Sequence, residues 1–344
     1  MKRPASQLFR ALGHLQRGYR AASRLVSLRL SPPASAGPSF GLPDRVTEVA
    51  DFGSNPGGLR MLIFRPPEVL RAGAPLIIVL HGCHQDATGF ATDAGWLALA
   101  RRLRLPLVLP EQSAGNNRGR CFNWFRPGDT GRDSGEALSI RQMVRVAVKR
   151  FGSDRRRVFV VGLSAGGAMT AALLAAYPAV FAAGAVVAGM PVGVASNPAM
   201  ALLRMRRADR HRSRDSLAAV VAAAAPPRQA PRSWPRLSIW QGGRDRTVDP
   251  DNAELLAAQW SALHGLAAIP ASDAAPLPGA RRRCWGTAKK PAVELWTLAE
   301  MGHGFPVAAG EAGERPGPWV LSAGVSAVQA IADFWQLDRG GAAG

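Results

Sequence analysis

Residues 157–170 restrict the fold of this chain more than any other stretch. Residues 158–161 form a short apolar, β-branched and aromatic run, the pattern of a buried strand. Gly162-Leu163-Ser164-Ala165-Gly166 follows without a spacer, and small residues through Ala175 open a helical pattern. Strand, G-x-S-x-G and helix in that order is the context of a nucleophile elbow. Glycines on both sides let strand and helix approach, and the serine hydroxyl is held at the C-terminal edge of a sheet. The motif alone is weak in so glycine-rich a chain, and a second copy serves as a control. Gly37-Pro38-Ser39-Phe40-Gly41 has no apolar strand before it and a proline inside it, so it reads as linker.

The rest of the chain alternates apolar runs with amphipathic stretches. Residues 45–51 and 59–64 read as opening strands joined by the turn Asn55-Pro56-Gly57-Gly58. Residues 76–80 are wholly apolar and predict a central strand; 107–109, 182–188, 237–240 and 293–297 predict further strands. Helices are expected over 91–103, where Pro106 bars continuation, and over 135–150, 249–263 and 325–335. This alternation implies an α/β class: a mostly parallel, doubly wound sheet covered on both faces. Residues 190–235 break the rhythm with Pro-rich ends and an Ala/Arg-rich middle, and read as a cap-like helical insertion. The catalytic domain is expected over 45–338, after a basic segment and linker at 1–44 and before a tail at 339–344.

A serine hydroxyl is a poor nucleophile at neutral pH. It needs a base, the base an orienting acid, and the oxyanion donors. In strand–elbow–helix proteins the order is Ser, then Asp or Glu, then His, each on a loop after a later strand. Asp245 follows the 237–240 strand in Gln241-Gly242-Gly243-Arg244-Asp245, and His303 follows the 293–297 strand between two glycines. Asp249 competes with Asp245 but is explained as the cap of the 249–263 helix; His264 lies at that helix's end, an ordinary capping position. The backbone amides of Ala165, after the nucleophile, and Cys83, after the strand ending in His81-Gly82, are the expected oxyanion donors. The His81 side chain reads as structural, and His84 has no assigned role.

The formal net charge of +19 is concentrated in residues 1–30, in 204–236 and at Arg281–Arg283 with Lys289 and Lys290. Residues 5–28 carry apolar side chains at steps of three and four among arginines, a basic amphipathic helix that offers contact with an anionic surface. Solvated charge on loops is the plainer reading of the excess. No helix-turn-helix, zinc finger or RNA-binding aromatic signature suggests specific nucleic-acid binding. No run approaches the ~20 apolar residues of a membrane span. No apolar core of about 7–15 residues marks a secretory signal, which leaves a cytoplasmic location as the alternative to export. No metal-ligand spacing is present among the cysteines and histidines, and the chemistry calls for no cofactor. Cys83 and Cys121 could pair, leaving Cys284 free.

Leu80-His81-Gly82-Cys83-His84-Gln85, Pro110-Glu111-Gln112, the run 121–129 beginning Cys121-Phe122-Asn123-Trp124-Phe125, and the elbow together resemble the poly(3-hydroxybutyrate) depolymerase family of esterases. The resemblance spans roughly 45–338. It implies an α/β-hydrolase fold and a serine carboxylesterase acting on hydroxyalkanoate esters, with Ser164, Asp245 and His303 as its triad. It also implies a bridge between Cys83 and Cys121, and a substrate cleft bordered by Asn123, Trp124, Phe125 and Phe305. Secreted members place the family in the extracellular region. Related feruloyl and acetylxylan esterases make plant-polymer esters an alternative substrate. Members commonly read Gly-His-Ala-Trp around the base, whereas this chain has Gly302-His303-Gly304-Phe305, so a shifted preference is expected. Oligomers or small esters are expected over solid polymer, and a surface-binding protein of polymer granules or membranes is the alternative from another class.

Overall fold

The computed structural model describes residues 45–225, 233–308, 310–311 and 313–338. The basic segment at 1–30, the linker and Ser39 lie outside the described residues, as does the tail.

Ten strands form one sheet in the order β1-β2-β4-β3-β5-β6-β7-β10-β9-β8. The strands are β1 (Val46–Val49), β2 (Arg60–Phe64), β3 (Leu76–Leu80), β4 (Leu107–Glu111), β5 (Val158–Leu163), β6 (Ala183–Val187), β7 (Arg236–Gly242), β8 (Ser272–Leu277), β9 (Ala280–Thr287) and β10 (Lys290–Leu298). From β4 through β10 neighbours run parallel; β1–β2, β2–β4, β10–β9 and β9–β8 are antiparallel. This is the mostly parallel sheet of an α/β-hydrolase, with antiparallel strands at both edges.

The central strands are apolar throughout because both faces are covered. In β3, Ile77 and Val79 join one core with Phe90, Trp96 and Trp335, while Leu76, Ile78 and Leu80 join the other with Met143, Met169 and Trp260. Alternation with period two divides each strand between two cores. Each such fully buried side chain contributes roughly 1.5–3 kcal/mol.

The helices are α1 (Ala87–Asp93), α2 (Trp96–Leu103), α3 (Pro127–Thr130), α4 (Gly135–Phe151), α5 (Ala165–Ala176), α6 (Pro198–Arg206), α7 (Arg214–Ala224), α8 (Asp251–Leu263) and α9 (Ala327–Trp335). The single helix expected at 91–103 is two, because Gly95 takes φ 87° and breaks it. The hairpin β8–β9 was not expected. Its strands carry few apolar residues, and its arginines are held by pairing: Arg281 with Asp273, Arg282 with Glu294, Arg283 with Glu254. The third cluster of positive charge is therefore largely neutralised.

Within the 190–235 interruption the described residues form α6 and α7. Helix α7 buries Leu217 and Val221 and accepts at the Leu217 carbonyl from Gln259 of α8, so it packs on the body of the fold. Only α6 reaches the cleft, through Met205. Asp249 joins this region to α8: its carboxylate accepts from the amides of Asp251 and Ala208. Among the described residues no helix is long and apolar enough to cross a membrane.

Candidate active site

The C-terminal ends of β5, β7 and β10 bring three distant side chains together. Ser164, between β5 and α5, has φ 57° and ψ −117°, a conformation costly for any residue with a Cβ. Its amide donates to the Val187 carbonyl at 2.8 Å, which holds the turn against β6. The flanking glycines are required by contact. A Cβ on Gly162 would lie 2.2 Å from the Gly166 carbonyl oxygen, and one on Gly166 would lie 2.5 Å from the carbonyl oxygens of Leu80 and His81.

Asp245 is buried on the loop after β7, with all of its acceptor capacity directed. Oδ1 accepts from the amides of Thr247 and Val248, both at 2.8 Å; Oδ2 accepts from Gln241 Nε2 at 3.0 Å and lies 2.7 Å from His303 Nδ1. A carboxylate can only accept here, so His303 Nδ1 carries the proton and Nε2 presents its lone pair. That Nε2 lies 3.0 Å from Ser164 Oγ. Backbone pairing sets the spacing of the two loops: Gly243 donates to the Leu298 carbonyl at 2.8 Å and Arg244 to the Met301 carbonyl at 2.9 Å.

The opposite wall is built differently. Cys83 and Cys121 are joined by a disulfide across 38 residues. His81 is wholly buried, and its Nε2 accepts from the Gln112 amide at 3.1 Å. Its Nδ1 therefore carries the hydrogen and donates to the Gly82 carbonyl at 2.7 Å. Burial pushes the imidazole pKa down, in keeping with a neutral ring. The Gly82 carbonyl and the Cys83 N–H belong to one peptide plane, so this bond fixes the direction of the Cys83 amide. Among the described residues that amide has no acceptor, and Ala165, first in α5, has none within its helix.

Behind this wall sits Glu136, fully buried. It accepts from the Asn123 amide and Asn123 Nδ2, from Gln112 Nε2 and from Asn116 Nδ2. Burial pushes its carboxyl pKa up to about 8 against the pull of these donors.

The cleft contains about 350 Å3 of empty space, open to solvent, and is lined by Gly82, Cys83, His84, Gln85, Leu163, Ser164, Met205, His303 and Trp319. Two of the expected cleft residues are elsewhere. Asn123 is buried against Glu136, where it satisfies a carboxylate instead of facing substrate. Phe305 is wholly buried and packs edge-on against Phe90 and Trp96 in the core. Trp124 is half-buried in a small cluster with Met205 and Ala168, beside the cleft, with Phe125 edge-on to it.

The aromatic ring beside His303 is Trp319, which the sequence reading missed. A two-stranded parallel ladder, β11 (Phe305–Val307) with β12 (Val320–Ser322), returns the chain to His303. The Phe305 amide donates to the Trp319 carbonyl at 2.7 Å, and the indole meets the His303 ring edge-on at 5.9 Å. Met205 was missed for the same reason: neither residue sits near a motif, and only the ladder and α6 bring them in.

Residues 59–283 match the family described as Esterase PHB depolymerase. Poly(3-hydroxyalkanoate) depolymerase C of Paucimonas lemoignei is 36% identical over 297 residues, 85% of this chain and 70% of that protein. The chain belongs to the Esterase PHB depolymerase family. As a member it is a carboxylic ester hydrolase. Another relative of this family member is feruloyl esterase B of Talaromyces stipitatus, 30% identical over 268 residues, 76% of this chain and 72% of that protein. Among solved structures, acetyl xylan esterase from Aspergillus awamori superposes with a TM-score of 0.71 at 22% identity, covering 85% of this chain and 99% of that one. That likeness shows the shared α/β-hydrolase fold.

Proposed function

We propose that the chain is a serine carboxylester hydrolase that cleaves hydroxyalkanoate esters, of the oligo- or poly(3-hydroxybutyrate) type, through an acyl-enzyme. One observation carries the reading: the hydrogen-bonded chain Ser164 Oγ, His303 Nε2, His303 Nδ1, Asp245 Oδ2, with links of 3.0 and 2.7 Å, at the edge of an open cleft. His303 Nε2 takes the Ser164 proton as Oγ attacks the ester carbonyl, and Asp245 holds the tautomer and balances the imidazolium. The amides of Cys83 and Ala165 donate to the oxyanion. His303 then returns the proton to the leaving alcohol, and water, activated by the same ring, releases the acid.

The hydroxyalkanoate assignment draws on the 36% identity to the depolymerase. A second reading, a feruloyl- or acetylxylan-type esterase, draws on the 30% identity to a feruloyl esterase. Fluorophosphonate labelling followed by peptide mapping tests the nucleophile. Modification at Ser164, abolished in Ser164→Ala, is expected; a folded protein left unlabelled there removes the serine mechanism. Rates on 3-hydroxybutyrate oligomers against feruloyl and acetyl esters then separate the two substrates.

A further inference from the structure

Two non-glycine residues flank the disulfide in the left-handed region: His84, next to Cys83, with φ 63°, and Arg120, next to Cys121, with φ 50°. Glycine takes such conformations without penalty, whereas any side chain is strained there. Two such residues beside one disulfide, one of them lining the cleft, point to use of their side chains. The pair is one unit. The His84 amide donates to the Gly119 carbonyl at 2.7 Å, and a Cβ on Gly119 would lie 3.4 Å from His84 Cε1, so the ring lies over the backbone that leads into Arg120.

The charge of the unit is one-sided. His84 lines the cleft with Ser164, and it does so on the Cys83 side. Arg120 is exposed, makes no ion pair among the described residues, and stands close enough for its charge to act on His84. Burial, and then that charge, hold the His84 imidazole below its ordinary pKa, so the ring is neutral and one of its two nitrogens carries a hydrogen to donate. Carboxylates close by are already engaged. Asp245 is turned to His303, and Asp86 caps α1 through the Gly89 amide at 2.7 Å. A hydrogen-bond donor backed by an uncompensated cation is a site for an anion.

We propose that His84 and Arg120 form a carboxylate-recognising lip on the cleft, so that this esterase favours substrates with a free carboxylate end, short hydroxyacid oligomers above all, over their neutral esters. The proposal rests on Ser164 being the nucleophile. It gives the site a reason to prefer oligomers: a short hydroxyacid chain carries its carboxylate within reach of the scissile ester, whereas the interior of a polymer carries none.

The test compares kcat/KM of the full chain on the 3-hydroxybutyrate dimer and trimer as free acids with that on their methyl esters. The parent should prefer the acids. Arg120→Gly, which relieves the φ, should lower the acid-to-ester ratio about three- to tenfold and leave the methyl-ester rate unchanged. The size follows from a single solvent-exposed charge. Arg120→Glu should invert the ratio, and raising the salt from 0.02 to 0.5 M should reduce the parent's preference. The same order is expected when the acids and esters compete with fluorophosphonate for the site, a readout that needs no turnover. A ratio equal in parent and Arg120→Gly, with Ser164 labelled in both, overturns the lip alone. A folded parent unlabelled at Ser164 overturns the serine reading and the lip with it.

Discussion

The two walls of the cleft hold their residues by different means. On the β7–β10 side, Asp245 and His303 are spaced by backbone hydrogen bonds between adjacent loops, Gly243 to Leu298 and Arg244 to Met301. On the β3 side, residues 81–85 and 111–125 are held by a disulfide and by buried polar groups, His81, Gln112, Asn123 and Glu136. The first wall inherits its geometry from the register of the sheet. The second is a long loop with little regular structure, and needs a covalent link and a satisfied polar network to stand still. Regular structure positions Asp245 and His303; cross-links position the Cys83 amide opposite.

The largest test of this contrast is chemical. Ser164→Ala should lower kcat by about ten-thousand-fold or more with the urea midpoint unchanged, since among the described residues Oγ makes no hydrogen bond other than that to His303. Stopped assays and denaturation curves on one preparation check both halves. Cys121→Ser should cost about 4 kcal/mol of stability, the loop-closure value for a 38-residue separation. Its hydrogen-exchange protection should fall at 81–85 and 111–125 and persist at 242–245 and 298–303. Equal loss on both walls would end the contrast.

Glu136 provides the pH test. Its folded pKa, about 8, is raised above the ordinary 4.5 by burial, so the folded state keeps a proton that the unfolded state has released. The favourable contribution is complete below pH 4.5 and is lost as pH rises through about 8, with a slope of at most about 1.4 kcal/mol per pH unit. Urea unfolding across that window should show a shallower slope in Glu136→Gln than in the parent, the remainder coming from other buried carboxyls such as Glu294, whose pKa burial also raises. The smallest effect is at His81. His81→Leu frees the Gly82–Cys83 peptide and should lower kcat about tenfold to a hundredfold with KM nearly constant. His81→Asn keeps a donor near the Nδ1 position and should recover most of that rate; failure of this rescue would make His81 a packing residue alone.

Much of this was open to reading from the chain. The apolar runs named all the parallel strands, because a strand buried on both faces has few polar positions to blur it, Ser238 and Glu294 being exceptions. The elbow, Asp245 and His303 each follow such a strand, so their order could be read before any geometry was known. The edge hairpin β8–β9 escaped because β8 is exposed along almost its whole length and β9 is rich in arginine, so neither carries an apolar run. Phe305 misled because proximity to His303 in sequence suggested proximity in space. A strand turns successive side chains to opposite faces, and at Phe305 the face is the core.

By itself, then, the sequence determined the fold class and the candidate acid–base chemistry. Both depend on local signals: strand runs, turn glycines and chain order. Tertiary structure alone decided which side chains line the cleft. It brought Trp319 to His303 through the β11–β12 ladder, Met205 to Ser164 through α6, and turned Asn123 inward to Glu136. Such contacts join residues whose separation along the chain carries no periodicity, so they exist only once the backbone has closed.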